Sequence, residues 1–285
     1  MSKVICITSG KGGVGKSTSA CALAGSLAMS GKKTVLVECD IGTPNLHVLL
    51  GCENRVIYSI TDLAVEPIEG EKELLSSQAL IKVTSSDKSN YDNNLYLLAG
   101  SKQIRRDKLT QKELYKVIEK LKNDGFDFII LDSPAGIDDS AHAAMYWADM
   151  AIFVVNPEMS SITDADKAIA VIDSSSYRAE NPSYGDAVTK HLLVTRYDQQ
   201  ASEIGDQLTC DEIQSILRID SLLGVIPEAN KHLRDASQRG LPVVASSLVN
   251  HAVGQQYIDA AQRLLGNNIP LRSNKVSFFQ KIFKK

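Results

Sequence analysis

Val4-Ile5-Cys6-Ile7-Thr8 is followed, after Ser9, by Gly10-Lys11-Gly12-Gly13-Val14-Gly15-Lys16-Ser17. The apolar run reads as a strand covered on both faces. The segment from Gly10 to Ser17 fits G-x-x-x-x-G-K-[ST], and Ala20, Leu23, Ala24 and Leu27 then recur at helical spacing. Glycines let the backbone fold so that successive N–H groups face phosphate oxygens, at the positive end of the next helix. Lys16 adds a point charge for the outer phosphates, and the Ser17 hydroxyl suits Mg²⁺. A plain glycine-rich strand-to-helix turn needs neither so many glycines nor Lys-Ser at the helix start. The expected nucleotide-binding set is Lys11, Gly12, Gly13, Val14, Gly15, Lys16, Ser17 and Thr18. Lys11 is a second cation in one loop. It is either a solvated rim residue or one that reaches a phosphate across a subunit interface.

Outward from this stretch, short apolar runs alternate with longer amphipathic ones. Strands are predicted over 4–8, 34–39, 95–98, 126–131, 150–155, 191–195 and 222–226, and later helices over 111–123, 162–173, 210–218 and 252–265. That order implies a doubly wound α/β domain over 1–265, with a mostly parallel sheet of about seven or eight strands and helices on both faces. Polar stretches at 83–94 and 174–186 read as surface excursions. Gly266-Asn267-Asn268 and Pro270 end the last long helix, so 266–274 is a predicted linker and 275–285 an appendage.

Composition narrows the function. With 285 residues, 44% hydrophobic and 23% charged, the chain is ordinary globular material, not a disordered or disulfide-built one. Its five cysteines lack metal-type pairing, and His47, His142, His191, His232 and His251 are scattered, so neither a zinc nor a disulfide framework is expected. No apolar stretch is long enough to span a bilayer and no signal peptide precedes Val4, so a cytoplasmic location is expected. From residue 260 onward there is no acidic residue but six basic ones. The remaining 25 basic and 34 acidic residues leave the body at −9. An acidic body disfavours nucleic acid, and a basic tip favours a local anionic partner.

Asp40 and Asp132 each end a predicted strand at the ligand-binding edge of such a sheet. Asp132 is placed to hold Mg²⁺, directly or through water, and Asp40 to orient or deprotonate an attacking water. Aspartates also cap helices and start turns, so either alone is ambiguous. The pair together with the loop favours function.

The run Lys11 to Ser17 resembles the deviant Walker A motif of the ParA/MinD group of P-loop ATPases. The resemblance implies that Lys11 is the signature lysine, acting on the nucleotide of a partner subunit in an ATP-sandwich dimer. It makes Lys11, Lys16 and Asp40 the catalytic set, with ATP and Mg²⁺ (on Ser17 and Asp132) as cofactors. Asp40-Ile41-Gly42 resembles switch I, and Asp132-Ser133-Pro134-Ala135-Gly136 resembles switch II. Further matches extend over nearly the whole chain. By analogy Thr195, Arg196, Pro227 and Glu228 line the adenine pocket, though from the residues alone they are only polar strand ends. Asp164 and Asp166 lie in a region that meets regulators in the family. Capping of a helix beginning near Ser161 is the ordinary alternative.

The segment 275–285 separates branches of the family. At about 100° per residue, Val276, Phe278, Phe279, Ile282 and Phe283 fall on one arc of roughly 160°, with Lys281, Lys284 and Lys285 outside it. Three of the six phenylalanines lie in these eleven residues. A docked terminal helix is the ordinary alternative. A basic amphipathic helix on anionic inner-membrane lipid fits better, binding weakly alone and more firmly when a dimer presents two. This resembles the division-site branch of the group. That branch implies recruitment of the septum inhibitor MinC, an ATPase stimulated by MinE, and residence on the cytoplasmic face. A flagellar-number or partition relative, or a soluble ATP-dependent ligase on the same fold, is the alternative.

Overall fold

The computed structural model describes residues 2–64, 78–84, 94–101, 109–229, 233, 244 and 247–272. The axis of the fold is β1 (Lys3–Thr8). A pleated strand sends alternate side chains to opposite faces. Here Val4 and Cys6 enter one hydrophobic layer, and Ile5 and Ile7 the other. Both faces are therefore apolar, and β1 has to be central.

Parallel strands β5 (Phe128–Asp132) and β6 (Met150–Val155) flank it. The eight described strands add β2 (Thr34–Glu38), β3 (Leu80–Lys82), β4 (Leu95–Leu98), β7 (Thr189–Tyr197) and β8 (Leu222–Pro227). Their order is β3-β4-β2-β5-β1-β6-β7-β8. Only β3 is antiparallel, paired with β4 at the edge. The chain leaves β1 toward β2 on one side and later returns through β6 on the other. This puts the switch in strand direction at the end of β1, where such sheets bind ligands.

The described helices are α1 (Lys16–Met29), α2 (Leu46–Leu49), α3 (Ile60–Ala64), α4 (Gln111–Asn123), α5 (Asp139–Tyr146), α6 (Met159–Ser175), α7 (Tyr177–Glu180), α8 (Gln199–Glu203), α9 (Cys210–Leu217) and α10 (Ala252–Leu264). On one face lie α1 and α10, and on the other α4, α5 and α6. The spacing in α1 predicts an amphipathic helix, yet every residue from Ser19 to Ala28 is buried. Its outer side is covered by α10, so small residues there make room for a second helix. Each fully buried leucine in it, such as Leu23 or Leu27, contributes about 1.5–3 kcal/mol over exposure.

Several expectations are corrected. Strand 34–39 ends at Glu38, leaving Asp40 in the following loop, whereas strand 126–131 begins at Phe128 and includes Asp132. The excursion at 174–186 contains α7 and a turn at Pro182–Tyr184. In the other excursion, Val83 is buried, and 85–93 lies outside the described residues. The helix predicted over 162–173 begins at Met159, so Asp164 and Asp166 sit beyond its first turn and do not cap it. The amphipathic segment, with Val276, Phe278, Phe279, Lys281, Ile282, Phe283, Lys284 and Lys285, also lies outside the described residues.

Candidate functional site

The loop after β1 owes its shape to glycine at two positions. Gly13 and Gly15 adopt φ of +78° and +96°, left-handed values that side chains disfavour. Gly15 immediately precedes α1, so the loop's N–H groups sit at the positive helix end. A third glycine is required by packing. A Cβ on Gly10 would lie 2.0 Å from the backbone carbon of Asp164. The second turn of α6 thus rests directly on the loop.

A cleft of about 610 Å³ opens there, lined by Lys11, Gly12, Gly13, Gly15, Lys16, Ser17 and Thr18 with Asp40 and Arg196. Ser9, Asn45, Val48, Leu49 and Ala135 complete the lining. None of these five is in the predicted site. Val48 and Leu49 belong to α2, and as apolar residues in a short helix they read as core.

Inside the cleft Lys16 Nζ donates to Asp132 Oδ1 at 2.8 Å. Asp132 is 2% exposed. Burial raises its carboxyl above the ordinary range, although Lys16 and the Ser17 hydroxyl pull it down. Asp40 sits at the rim, where Thr43 Oγ1 donates to its Oδ1 at 3.0 Å. Glu38 anchors the loop that carries Asp40. Its carboxylate accepts from the backbone N–H groups of Asn45, Leu46 (2.8 Å) and Gly100 (2.9 Å). Burial pushes the Glu38 carboxyl up as well. The segment after β5 docks on the same loop, with Gly136 N donating to Ser9 O at 3.0 Å.

Lys11 points the other way. Its Nζ donates to Glu158 Oε2 and to Ser160 Oγ, both at 3.0 Å, at the start of α6. Arg196 has φ +53°, a strained backbone for a side chain, and its Nη2 donates to Gly13 O at 2.6 Å. Thr195 Oγ1 donates to Val14 O at 2.6 Å, behind the loop. Thr195 and Val14 therefore brace the cleft from within. Pro227 ends β8 and Glu228 follows it, both outside the cleft's lining, and Glu228 N donates to Tyr197 O at 3.2 Å. Asp164 pairs with Lys167 at 2.8 Å, and Asp166 is exposed.

The donor set fits a magnesium ion. The Ser17 hydroxyl hydrogen-bonds the nearly buried Asp132 carboxylate, so two hard oxygen ligands share one spot. Among the described residues no cluster of three His, Cys, Asp or Glu forms a second metal site. Cys6, Cys21, Cys39 and Cys52 are buried free thiols. Burial holds the Cys6 thiol at a pKa of about 12, so these thiols are core residues.

A septum site-determining protein MinD of Escherichia coli strain K12 is 43% identical over 286 residues, covering 99% of both chains. The chain belongs to the ParA/MinD family. The family profile described as "ParA: NUBPL iron-transfer P-loop NTPase" matches residues 1–264. Among solved structures, a ParA/MinD member from the MinC:MinD cell division complex of Aquifex aeolicus aligns at a TM-score of 0.77 and 36% identity, covering 95% of this chain and 99% of that one. The septum site-determining MinD of Pyrococcus horikoshii, complexed with Mg-ADP, aligns at 0.70 and 26% identity over 94% and 100%. As in the rest of the ParA/MinD family, a P-loop ATPase fold carries the site. No described helix is long and apolar enough to cross a membrane.

Proposed function

We propose that this chain is a Mg²⁺-dependent ATPase of division-site placement that dimerises on ATP, holds anionic membrane through 275–285, recruits MinC, and leaves the membrane when MinE stimulates hydrolysis. The single observation that carries this reading is the cleft itself, lined by both Lys11 and Lys16, in a chain 43% identical to a septum site-determining MinD. The likeness to a MinC:MinD complex supports the MinC part.

In this mechanism the backbone N–H groups of Gly12 to Ser17 bind the phosphates, and Lys16 exchanges Asp132 for phosphate oxygens. Ser17 and Asp132 would hold Mg²⁺, which supplies charge neutralisation on the phosphates. Release of Asp132 from Lys16 leaves its buried carboxylate in need of that cation. Asp40, at the rim, orients water toward the terminal phosphate. Lys11 leaves Glu158 and Ser160 to neutralise charge on the nucleotide of a second copy. Each membrane segment alone binds weakly, on the order of a single acyl chain at about 10⁴ M⁻¹, so two on one dimer switch membrane residence.

The test is cosedimentation with anionic vesicles in ATP, ADP or no nucleotide, for the full chain and for one ending at Ser273. Pelleting of the full chain in ATP alone is expected. Pelleting blind to nucleotide speaks for a passive membrane scaffold, and none under any condition speaks for a soluble enzyme.

A further inference from the structure

Gly266 ends α10 with φ +87°, and its N–H donates to Arg263 O at 2.9 Å. The chain then reverses and runs back beside α10. Arg263 holds the returning segment: Nε donates to Ile269 O at 2.8 Å and Nη2 to Pro270 O at 2.7 Å, while Nη1 reaches Leu223 O of β8 at 2.5 Å. Arg272 closes the strap. Its Nε and Nη2 take the two carboxylate oxygens of Asp259, and Nη2 also donates to Gln255 Oε1 at 3.0 Å. Asp259 is 6% exposed, which makes this a charge-assisted fork on a nearly buried carboxylate.

The direction of the strap matters. α10 runs alongside α1, with Tyr257 hydroxyl 2.9 Å from Ser19 Oγ near the phosphate end and Gln262 Nε2 donating to Ser30 Oγ at 3.0 Å at the far end. Returning from Gly266 to the level of Asp259 and Gln255 carries the chain about 10–15 Å back toward the phosphate edge.

We propose that Arg272 and Asp259, with Arg263, form a launching anchor that fixes where the membrane segment leaves the body, on the side where a nucleotide-clamped second copy is met. This rests on the dimer-and-membrane reading above. With the strap closed, Ser273 and Asn274 separate the anchor from 275–285; with Arg272 released, Arg263 still holds Ile269 and Pro270, and the four residues 271–274 intervene. Effective concentration falls as roughly the −3/2 power of tether length, so releasing Arg272 weakens joint engagement of two segments about threefold.

Two substitutions separate this from plain electrostatics. Asp259→Ala removes a negative charge and leaves Arg272 only its bond to Gln255, so electrostatics alone strengthens binding to anionic lipid. Arg272→Lys keeps the charge and loses the two-pronged fork, at a side chain that is 49% exposed. Full-length protein in ATP is titrated with phosphatidylglycerol–phosphatidylcholine vesicles, and dimerisation is followed by light scattering. Both variants are expected to bind vesicles about threefold more weakly while dimerising like the parent. Vesicle binding by both at least as tight as the parent's overturns the anchor alone. A parent that never pellets with ATP overturns the membrane reading and the anchor with it.

Discussion

Lys11 Nζ lies 3.0 Å from Glu158 Oε2, so the first lysine of the phosphate loop is held within its own subunit by the start of α6. The two side chains are 40% and 56% exposed. An exposed pair of this kind is worth about 0–1 kcal/mol, little enough to be exchanged for a phosphate. Lys11→Ala is therefore expected to spare nucleotide binding by the monomer and to abolish ATP-dependent dimers in light scattering. Glu158→Gln, which removes the ion pair but not the bond to Ser160, is expected to lower the ATP concentration for dimerisation by at most about fivefold.

The other lysine is buried with its partner. Lys16 and Asp132 side chains are 10% and 2% exposed. Truncating one member of a buried pair costs about 3–5 kcal/mol, because the other charge is left alone. Lys16→Ala is expected to abolish ATP binding in calorimetry and also to lower stability in urea melts. Asp40→Ala, at the solvent-facing rim, is expected to leave stability unchanged and to slow phosphate release on the order of 10²-fold or more.

Gly10 is predicted to tolerate no side chain. A methyl group would meet the Asp164 backbone at 2.0–2.2 Å, forcing α6 off the loop. Gly10→Ala is expected to destabilise the fold by about 1–3 kcal/mol and to weaken nucleotide binding together with it. Parent-like melting and binding would show that α6 and the loop are not in register as described.

A pH dependence arises from His191. Its Nδ1 lies 2.6 Å from Ser221 Oγ, while Nε2 is buried without a partner. Burial, aided by the charge of Lys3, lowers its pKa below the ordinary histidine value. The unfolded chain then binds this proton more readily than the fold. Stability is thus expected to fall as pH drops through the ordinary value near 6.5 toward the lowered one. His191→Gln should flatten that part of the profile in urea melts at about pH 7.5 and about pH 5.5.

The phosphate loop was legible in sequence because its backbone geometry demands particular residues: left-handed φ at Gly13 and Gly15, and contact with α6 at Gly10. The parallel strands were legible because a sheet covered twice needs unbroken apolar runs. β3 was not, since three residues at an antiparallel edge carry too little pattern. Nor was α5, an alanine-rich helix capped by Asp138, whose side chain accepts from Ser140 N and Ala141 N. Val48 and Leu49 in the cleft belong to no motif, and nothing in local spacing singles them out. The contacts of Lys11 with Glu158, across 147 positions, and of Arg272 with Asp259 depend on tertiary closure and leave no mark on local spacing.

The most direct test of the central claim uses the Asp40→Ala chain, which is expected to hydrolyse ATP slowly, with one sample of it measured twice. Loaded with ATP, it should sediment as a dimer in analytical ultracentrifugation and coat anionic liposomes, and loaded with ADP it should do neither. A chain that remains monomeric in ATP yet coats liposomes contradicts the account.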